Sequence, residues 1–369
     1  MSKIKYVIGL NSGTSCDGID VALVKFKKGD LKPIFVDGIV CDYPRHVRKL
    51  IVGAIHELPL RGISKLNILL GKLFAEAALK IMRKNKLTSE DILLIGSHGQ
   101  TIFHKPRVTS VQIGDGSVIA HQTNIRTISN FREADIKVGG EGAPLMPFLD
   151  WIIFNKNQQI KAVLNIGGIS NVTVVGKNIT PIAFDIGPGN ALIDLVSQIY
   201  FKKYFDKNGK IARKGKIHHD FIEKALQDAY FKKKPPKSTG KEYFNLNFVK
   251  KYFSVETCHG MSLLATVTYF SAKVIEKSFK DFILPKYEIK EMVLSGGGIK
   301  NKTLISHLKK LLPDIKLVFS DKYGMPSKYK EAMLFALLGY TCYLEKSNNI
   351  PSCTGAKTKV ILGKINKTG

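Results

Sequence analysis

Three glycine-rich turns, each at the end of an apolar β-type run, constrain this chain more than any other feature of its sequence. The first is Asn11-Ser12-Gly13-Thr14-Ser15-Cys16-Asp17-Gly18-Ile19-Asp20, preceded by the run 6–10 and followed by the alternation Ile19, Val21, Leu23. The second is Gly167-Gly168 inside the apolar stretch 161–175, with Val172 and Val174 beyond it. The third is Gly296-Gly297-Gly298, after the run 291–295 and before a helical stretch over about 301–312 that Pro313 stops. Period-two alternation marks half-buried strands, and glycines at strand ends let backbone amides approach an anion. The pattern predicts an α/β protein with ligands at its strand ends. The first two turns are one supersecondary unit used twice, which predicts a two-lobed nucleotide binder with a central cleft.

The remaining periodicity fits that class. Leu66, Leu69, Leu70, Leu73, Ala77 and Ile81 recur at helical spacing and predict a helix over 65–84. A buried strand is predicted over 91–96, ending in Ser97-His98-Gly99-Gln100, and a further helix over 329–344. Neither G-x-x-x-x-G-K-[ST] nor G-x-G-x-x-G occurs, so a Walker loop and a dinucleotide fingerprint are both excluded.

Composition narrows the setting. The 369 residues suggest two domains at roughly 150 residues each. Lys and Arg number 57 against 30 Asp and Glu, a net charge of +27 that raises an anionic-polymer or nucleic-acid binder as a rival class. The lysines are scattered, however, and only 232–241 is dense, interrupted by Pro235 and Pro236. The five cysteines never form Cys-x-x-Cys, which speaks against a zinc ribbon or disulfide scaffold. The apolar start is too short for a signal peptide, and the run 333–344 falls short of the ~20 residues that span a bilayer. A reducing cytosol without membrane or nucleic-acid partners is expected.

The residues suited to chemistry cluster around these turns. In the first hairpin Thr14 and Ser15 can donate to phosphate, and a carboxylate such as Asp17 can hold Mg²⁺ through water, with no direct metal ligand. Asp185, in Phe184-Asp185-Ile186-Gly187-Pro188-Gly189-Asn190, suits a general base on rigid backbone, although a turn or capping role fits the residue equally. Arg132 and the glycine-dense segment 139–145 make a charged loop of the kind that surrounds a polar substrate, and an Arg there can bind a carboxylate bidentately.

These motifs together resemble the anhydro-N-acetylmuramic acid kinase family. The resemblance rests on Ser12-Gly13-Thr14-Ser15-x-Asp17-Gly18-Ile19-Asp20, Gly96-Ser97-His98-Gly99-Gln100-Thr101, Gln112-Ile113-Gly114-Asp115, Phe131-Arg132-x-x-Asp135 and Gly142-Ala143-Pro144-Leu145. It continues in order through Asn165-Ile166-Gly167-Gly168-Ile169-x-Asn171, the Asp185 motif, Pro235-Pro236-Lys237-Ser238-Thr239-Gly240, Gly296-Gly297-Gly298 and Lys330-Glu331-Ala332.

The resemblance implies an actin-like ATPase (ribonuclease H-like) fold with mixed sheets flanked by helices. It implies an ATP- and Mg-dependent kinase that opens a 1,6-anhydro amino sugar and phosphorylates its 6-oxygen; a same-fold kinase for another amino or anhydro sugar is the alternative. By resemblance, Gly13, Thr14, Ser15, Cys16, Asp17, Gly18, Ile19 and Asp20 hold ATP phosphates, Gly167 and Gly168 form the opposed phosphate turn, and Gly296, Gly297 and Gly298 border the nucleoside. Asp185 becomes the catalytic base, and His98, Arg132, Asp135, Gly189, Asn190 and Glu331 line the sugar site. The partners expected are a small anhydro amino sugar and a second copy of the chain as a homodimer. One lobe is expected to comprise 1–131 with about 345–369, the other 132–344. Asn11, Gly116, Glu141 and Ile186 depart from the family's usual Met, Pro, Gln and Thr; Ile186 removes a hydroxyl next to the base.

Overall fold

The computed structural model describes residues 5–13, 16–57, 60–253 and 260–368. It comprises two compact units, Met1–Ile153 with Tyr323–Gly369, and Phe154–Lys322. In the first unit lie β1 (Tyr6–Ser12), β2 (Gly18–Lys25), β3 (Ile34–Asp42), β4 (Ile92–Lys105), β5 (Thr109–Ile113) and β6 (Thr127–Ser129). The second holds β7 (Lys161–Ile166), β8 (Ile169–Val175), β9 (Ile182–Pro188), β10 (Glu291–Ser295) and β11 (Lys316–Phe319); β12 (Lys364–Asn366) belongs to the first.

The first sheet runs β12-β6-β4-β1-β2-β3, with β5 on β4. Strand alternation sends Ile8, Leu10, Ile19, Val21 and Leu23 into one core, where the helix Leu60–Lys84 contributes Leu66, Leu70, Phe74 and Ile81. The opposite face of β1 and β4 is occupied by the helix Lys330–Tyr343. A side chain at Gly9 would collide with the Ala332 carbonyl, and one at Gly96 with the Phe335 carbonyl, so these glycines let helix backbone lie directly on the sheet. Strand β4 does not end near Gly96, as expected, but continues to Lys105 because β5 pairs antiparallel with it from Gln100 onward.

The second sheet, β11-β10-β7-β8-β9, repeats the plan. Central β7 has an antiparallel neighbour in β8 and a parallel one in β10, as β1 has in β2 and β4. Leu164, Val172, Phe184 and Ile186 pack with residues of the helices Gly260–Ser278 and Lys302–Leu311. Mixed sheets flanked by helices in each unit are the expected α/β class.

The unit boundaries fall at 153/154 and 322/323, not at 131/132 and 344/345 as expected. The cause is the helix Lys330–Tyr343, which is buried on nearly every side, from Ala332 through Gly339, and has its bed on the first sheet. A buried ion pair, Lys330 Nζ to Asp150 Oδ1 at 2.7 Å, ties the helix Met146–Phe154 to the same unit.

Candidate active site

In the first unit the hairpin turn from β1 to β2 is held by backbone bonds, the Cys16 amide to the Gly13 carbonyl at 3.1 Å and the Tyr43 amide to the Asp17 carbonyl at 2.9 Å, and by side chains. Ser12 Oγ donates to Gln100 Oε1 at 2.6 Å and lies 3.0 Å from the Gly18 carbonyl, while Gln100 Nε2 donates to the Gly13 carbonyl at 3.3 Å. A Cβ on Gly13 would meet nothing within 4 Å among the described residues, so this glycine faces open space. Thr14 and Ser15 lie outside the described residues. Cys16 and Ile19 are buried, and Gly18 abuts the Cys41 carbonyl of β3, so these three offer a ligand only backbone. Asp17 Oδ1 pairs with Arg48 Nη2 at 2.7 Å, both exposed.

Behind the turn, the register of β1 and β2 sets Asn11 opposite Asp20. Asn11 Nδ2 donates to Glu331 Oε2 at 2.7 Å. Burial, and then the Glu331 carboxylate, push the Asp20 carboxyl up to about 6, with Lys328 opposing. Glu331 also faces Arg132, whose guanidinium burial lowers to about 10 and Glu331 counteracts.

Arg132 does not offer a free bidentate fork. Its Nη1 donates to the Gly142 carbonyl at 2.7 Å, and its Nε to His98 Nε2 at 3.2 Å. His98 is buried and stacked on Phe335 at 4.3 Å, and burial together with Arg132 holds it well below the usual imidazole range. It is therefore a neutral acceptor that orients the guanidinium. Asp135 is fully buried, with Oδ1 accepting from Asn349 Nδ2 (2.9 Å) and Thr354 Oγ1 (2.8 Å), and Oδ2 from the Gly142 amide (2.9 Å). With both oxygens engaged inside the protein, Asp135 shapes the 139–142 loop.

In the second unit the turn Gly167-Gly168 is held by backbone. The amides of Gly189 and Ala191 donate to the Gly168 carbonyl, and that of Asn190 to the Gly167 carbonyl, at 2.8–2.9 Å. Gly189 is required by close approach: its Cβ would sit 2.5 Å from the Gly167 carbonyl oxygen. Of the third glycine run, Gly296 (φ +87°) and Gly298 pack against Ile166 at the end of β7, whereas a Cβ on Gly297 would meet nothing within 4 Å. Only the middle glycine is open.

Asp185 stands on β9 in register with Asn171, which pairs with Asn165, which pairs with Ser295. Register partners share a face, so a polar row crosses four strands at the glycine-turn end of the sheet. Asn165, Asn171 and Ser295 were not assigned from sequence; their signal was the polar residue bracketing each glycine turn. The segment after Pro236 is laid along Asp185. The Thr239 amide donates to Asp185 Oδ2 at 3.0 Å, the Asp185 amide to the Lys237 carbonyl at 2.9 Å, and Tyr230 Oη to the Asp185 carbonyl at 2.6 Å. Lys237 lies over the rings of Tyr230 and Phe282 at 4.8 and 4.9 Å and is lowered to about 8 by burial. A residue whose backbone is fixed on both sides and whose carboxylate is held by one amide suits proton abstraction.

The family model for anhydro-N-acetylmuramic acid kinase matches residues 5–368. The chain belongs to the anhydro-N-acetylmuramic acid kinase family. Relatives of that name include one from Caldanaerobacter subterraneus, 43% identical over 98% of this chain and 96% of its own, and one from Clostridioides difficile, 40% identical over 98% of both. Another, from Francisella tularensis subsp. novicida, is 38% identical over 99% and 100%. A solved structure, the activator of the 2-hydroxyisocaproyl-CoA dehydratase from Clostridium difficile with bound ADPNP, is 14% identical over 91% of this chain and 94% of its own, with a TM-score of 0.45.

The departures from the family pattern have structural places. Asn11 binds Glu331, and Glu141 pairs with Arg107 at 3.4 Å. Ile186 is wholly buried in the second core, on the face of β9 opposite Asp185, so the hydroxyl it removes does not adjoin the carboxylate. At Gly116 a Cβ would sit 2.5 Å from Asn366 Nδ2 and 2.6 Å from Ser129 Oγ, so a residue larger than glycine has no room there.

Proposed function

We propose that this chain uses ATP and one water molecule to open 1,6-anhydro-N-acetylmuramic acid and phosphorylate the released 6-oxygen, giving N-acetylmuramic acid 6-phosphate and ADP in cell-wall sugar recycling. The observation that carries this reading is Asp185, held by the Thr239 amide and flanked by a backbone-fixed glycine turn. The anhydro bridge leaves no free 6-hydroxyl, so transfer requires water to add to the anomeric carbon as the C1–O6 bond breaks. Asp185 takes the proton from that water, and O6 forms its bond to the γ-phosphorus as the bond to the ADP oxygen breaks. Atoms and charge balance without a further reactant.

In the second unit Gly167, Gly168 and the open Gly297 take the nucleotide, with Gly296 and Gly298 shaping the turn. In the first unit the open Gly13 and the hairpin backbone to Asp20 take phosphate. Also in the first unit, Glu331, Arg132 and His98 serve the sugar and Asp135 fixes the loop behind Arg132, while in the second unit Gly189 and Asn190 brace the glycine turn. Mg²⁺ fits Asp17 poorly, because Arg48 holds that carboxylate. Asp20 fits a hydrated cation better, since this half-buried carboxylate lies close to a second one, that of the exposed Glu331. When bound, Mg²⁺ would neutralise phosphate charge. A reducing, cytosolic setting goes with this reading, and no helix among the described residues is long and apolar enough to cross a membrane.

Sugar-dependent ADP release tests the reading. ADP should form with ATP, Mg²⁺ and 1,6-anhydro-N-acetylmuramic acid, and stay near background when the sugar is omitted. Equal release in both mixtures would contradict it.

A further inference from the structure

The motif 235–240 leads directly into a residue that no motif covers. Lys241 follows Gly240, and its side chain is laid over the Gly167-Gly168 turn. A Cβ on Gly168 would collide with Lys241 Cε and lie 3.4 Å from Nζ. Gly168 is therefore a glycine partly to make room for a lysine stem. The chain approaches this position under constraint, since Thr239, two residues earlier, donates its amide to Asp185 Oδ2. One short segment thus touches the proposed base and covers the proposed phosphate turn.

The carboxylate of Glu242 folds back against Gly240, beside Lys241 in the chain. Asp194, in the first turn of the helix Ala191–Phe201, is the acid it acts on; burial pushes that carboxyl up to about 6 and Lys241 opposes the rise. The amides of Gly189, Asn190 and Ala191, which border the turn, are already spent on its carbonyls, and that of Gly167 on the Ile169 carbonyl. A phosphate arriving at Gly168 would find those backbone donors occupied and an ammonium overhead.

We infer that Lys241 is a catalytic residue whose ammonium contacts the γ-phosphoryl group of ATP and stabilises its charge during transfer. The inference rests on the reading of Gly167-Gly168 as a phosphate turn. Lysine suits the task as a compact point charge on a flexible stem.

The test uses the intact chain with Lys241→Met, which keeps the apolar stem over Gly168 and removes the charge, and Lys241→Arg, which restores a charge. Calorimetry measures ADP and a non-hydrolysable ATP analogue, and steady-state kinetics separates kcat from KM. Lys241→Met should weaken the analogue by about tenfold to a hundredfold, the worth of a charge-assisted hydrogen bond, and leave ADP affinity unchanged. Its kcat should fall by on the order of 10²-fold, with Lys241→Arg recovering most of the loss and the melting temperature unmoved. Equal weakening of ADP and analogue would mean that the side chain only supports the turn, and unchanged affinity for both would mean that it touches no phosphate; either result overturns the inference. If the wild-type chain itself binds neither nucleotide, the phosphate-turn reading fails and takes Lys241 with it.

Discussion

The two hairpins share one topology and differ in what holds their turns. The turn from β1 to β2 adds the side chains of Ser12 and Gln100 to its backbone bonds, and has a titratable group behind it in Asp20, close to Glu331. The turn from β7 to β8 is two residues long and leans on the amides of Gly189, Asn190 and Ala191. A two-residue turn tied by three backbone bonds has few ways to relax, whereas one that rests partly on side chains leaves open space at Gly13 for what it binds. The difference teaches where each task belongs. The base that must be held to a fraction of an ångström is next to the rigid turn, and the adjustable charges are behind the other.

The comparison breaks most visibly at Asp185. Asp185→Asn keeps the shape but cannot accept a proton, so turnover should fall at least about 10²-fold, with the melting temperature and nucleotide affinity near wild type. Steady-state kinetics beside a thermal melt checks this. Full turnover would detach the rigid turn from the chemistry.

Next in size is packing. Gly189→Ala forces a Cβ to within 2.5 Å of the Gly167 carbonyl and 2.8 Å of Ser170 Oγ. It should cost about 1–3 kcal/mol by urea denaturation. Gly13→Ala, facing open space, should stay within about 0.5 kcal/mol of wild type; equal losses at the two glycines would erase the distinction drawn here. That same openness makes Gly13→Val a clean probe of binding. It should fold normally and weaken ATP by roughly tenfold, about 1.4 kcal/mol, as read by calorimetry, and unchanged affinity would remove phosphate from this hairpin.

The smallest effect sharpens the electrostatic side. Asp20 is raised from 3.8 to about 6, so the fold favours its protonated form, and its ionisation above about pH 6 opposes folding. Asp20→Asn should therefore stabilise the chain at pH 7 and lose that advantage as pH falls toward 4. Solvent screening of a partly buried group limits the gain to about 1 kcal/mol, which corresponds to roughly 2–4 °C in melting temperature. A gain that persisted at pH 4 would show that charge is not its cause.

The hairpins, the glycine runs and the long amphipathic helix could be read from the sequence because each is a local pattern, complete within a few turns of chain. The unit boundary could not. What assigns the helix Lys330–Tyr343 to the first sheet is its backbone fitting onto Gly9 and Gly96, which are more than two hundred residues away in the chain. Distance in sequence likewise hid the Lys330 to Asp150 ion pair, the capture of Asp135 by Asn349 and Thr354, and the path of 237–241 over Asp185 and Gly168. Residue type misleads in a second way. Arg132 and Asp135 look like ligand-binding groups in a glycine loop, yet the protein's own carbonyls, amides and hydroxyls use much of their hydrogen-bonding capacity. At Ile186 the strand's alternation was legible, but a departure next to the base in sequence lies across the sheet from it in space.

The role of Asp185 in activating water is tested most directly by running the reaction in ¹⁸O-labelled water and locating the label in the sugar phosphate by mass spectrometry, sampled before the free anomeric hydroxyl exchanges. Water attack at the anomeric carbon predicts one labelled oxygen at that position and none in the oxygen joining carbon 6 to phosphorus. Label in that bridging oxygen, or an unlabelled anomeric position, would contradict it.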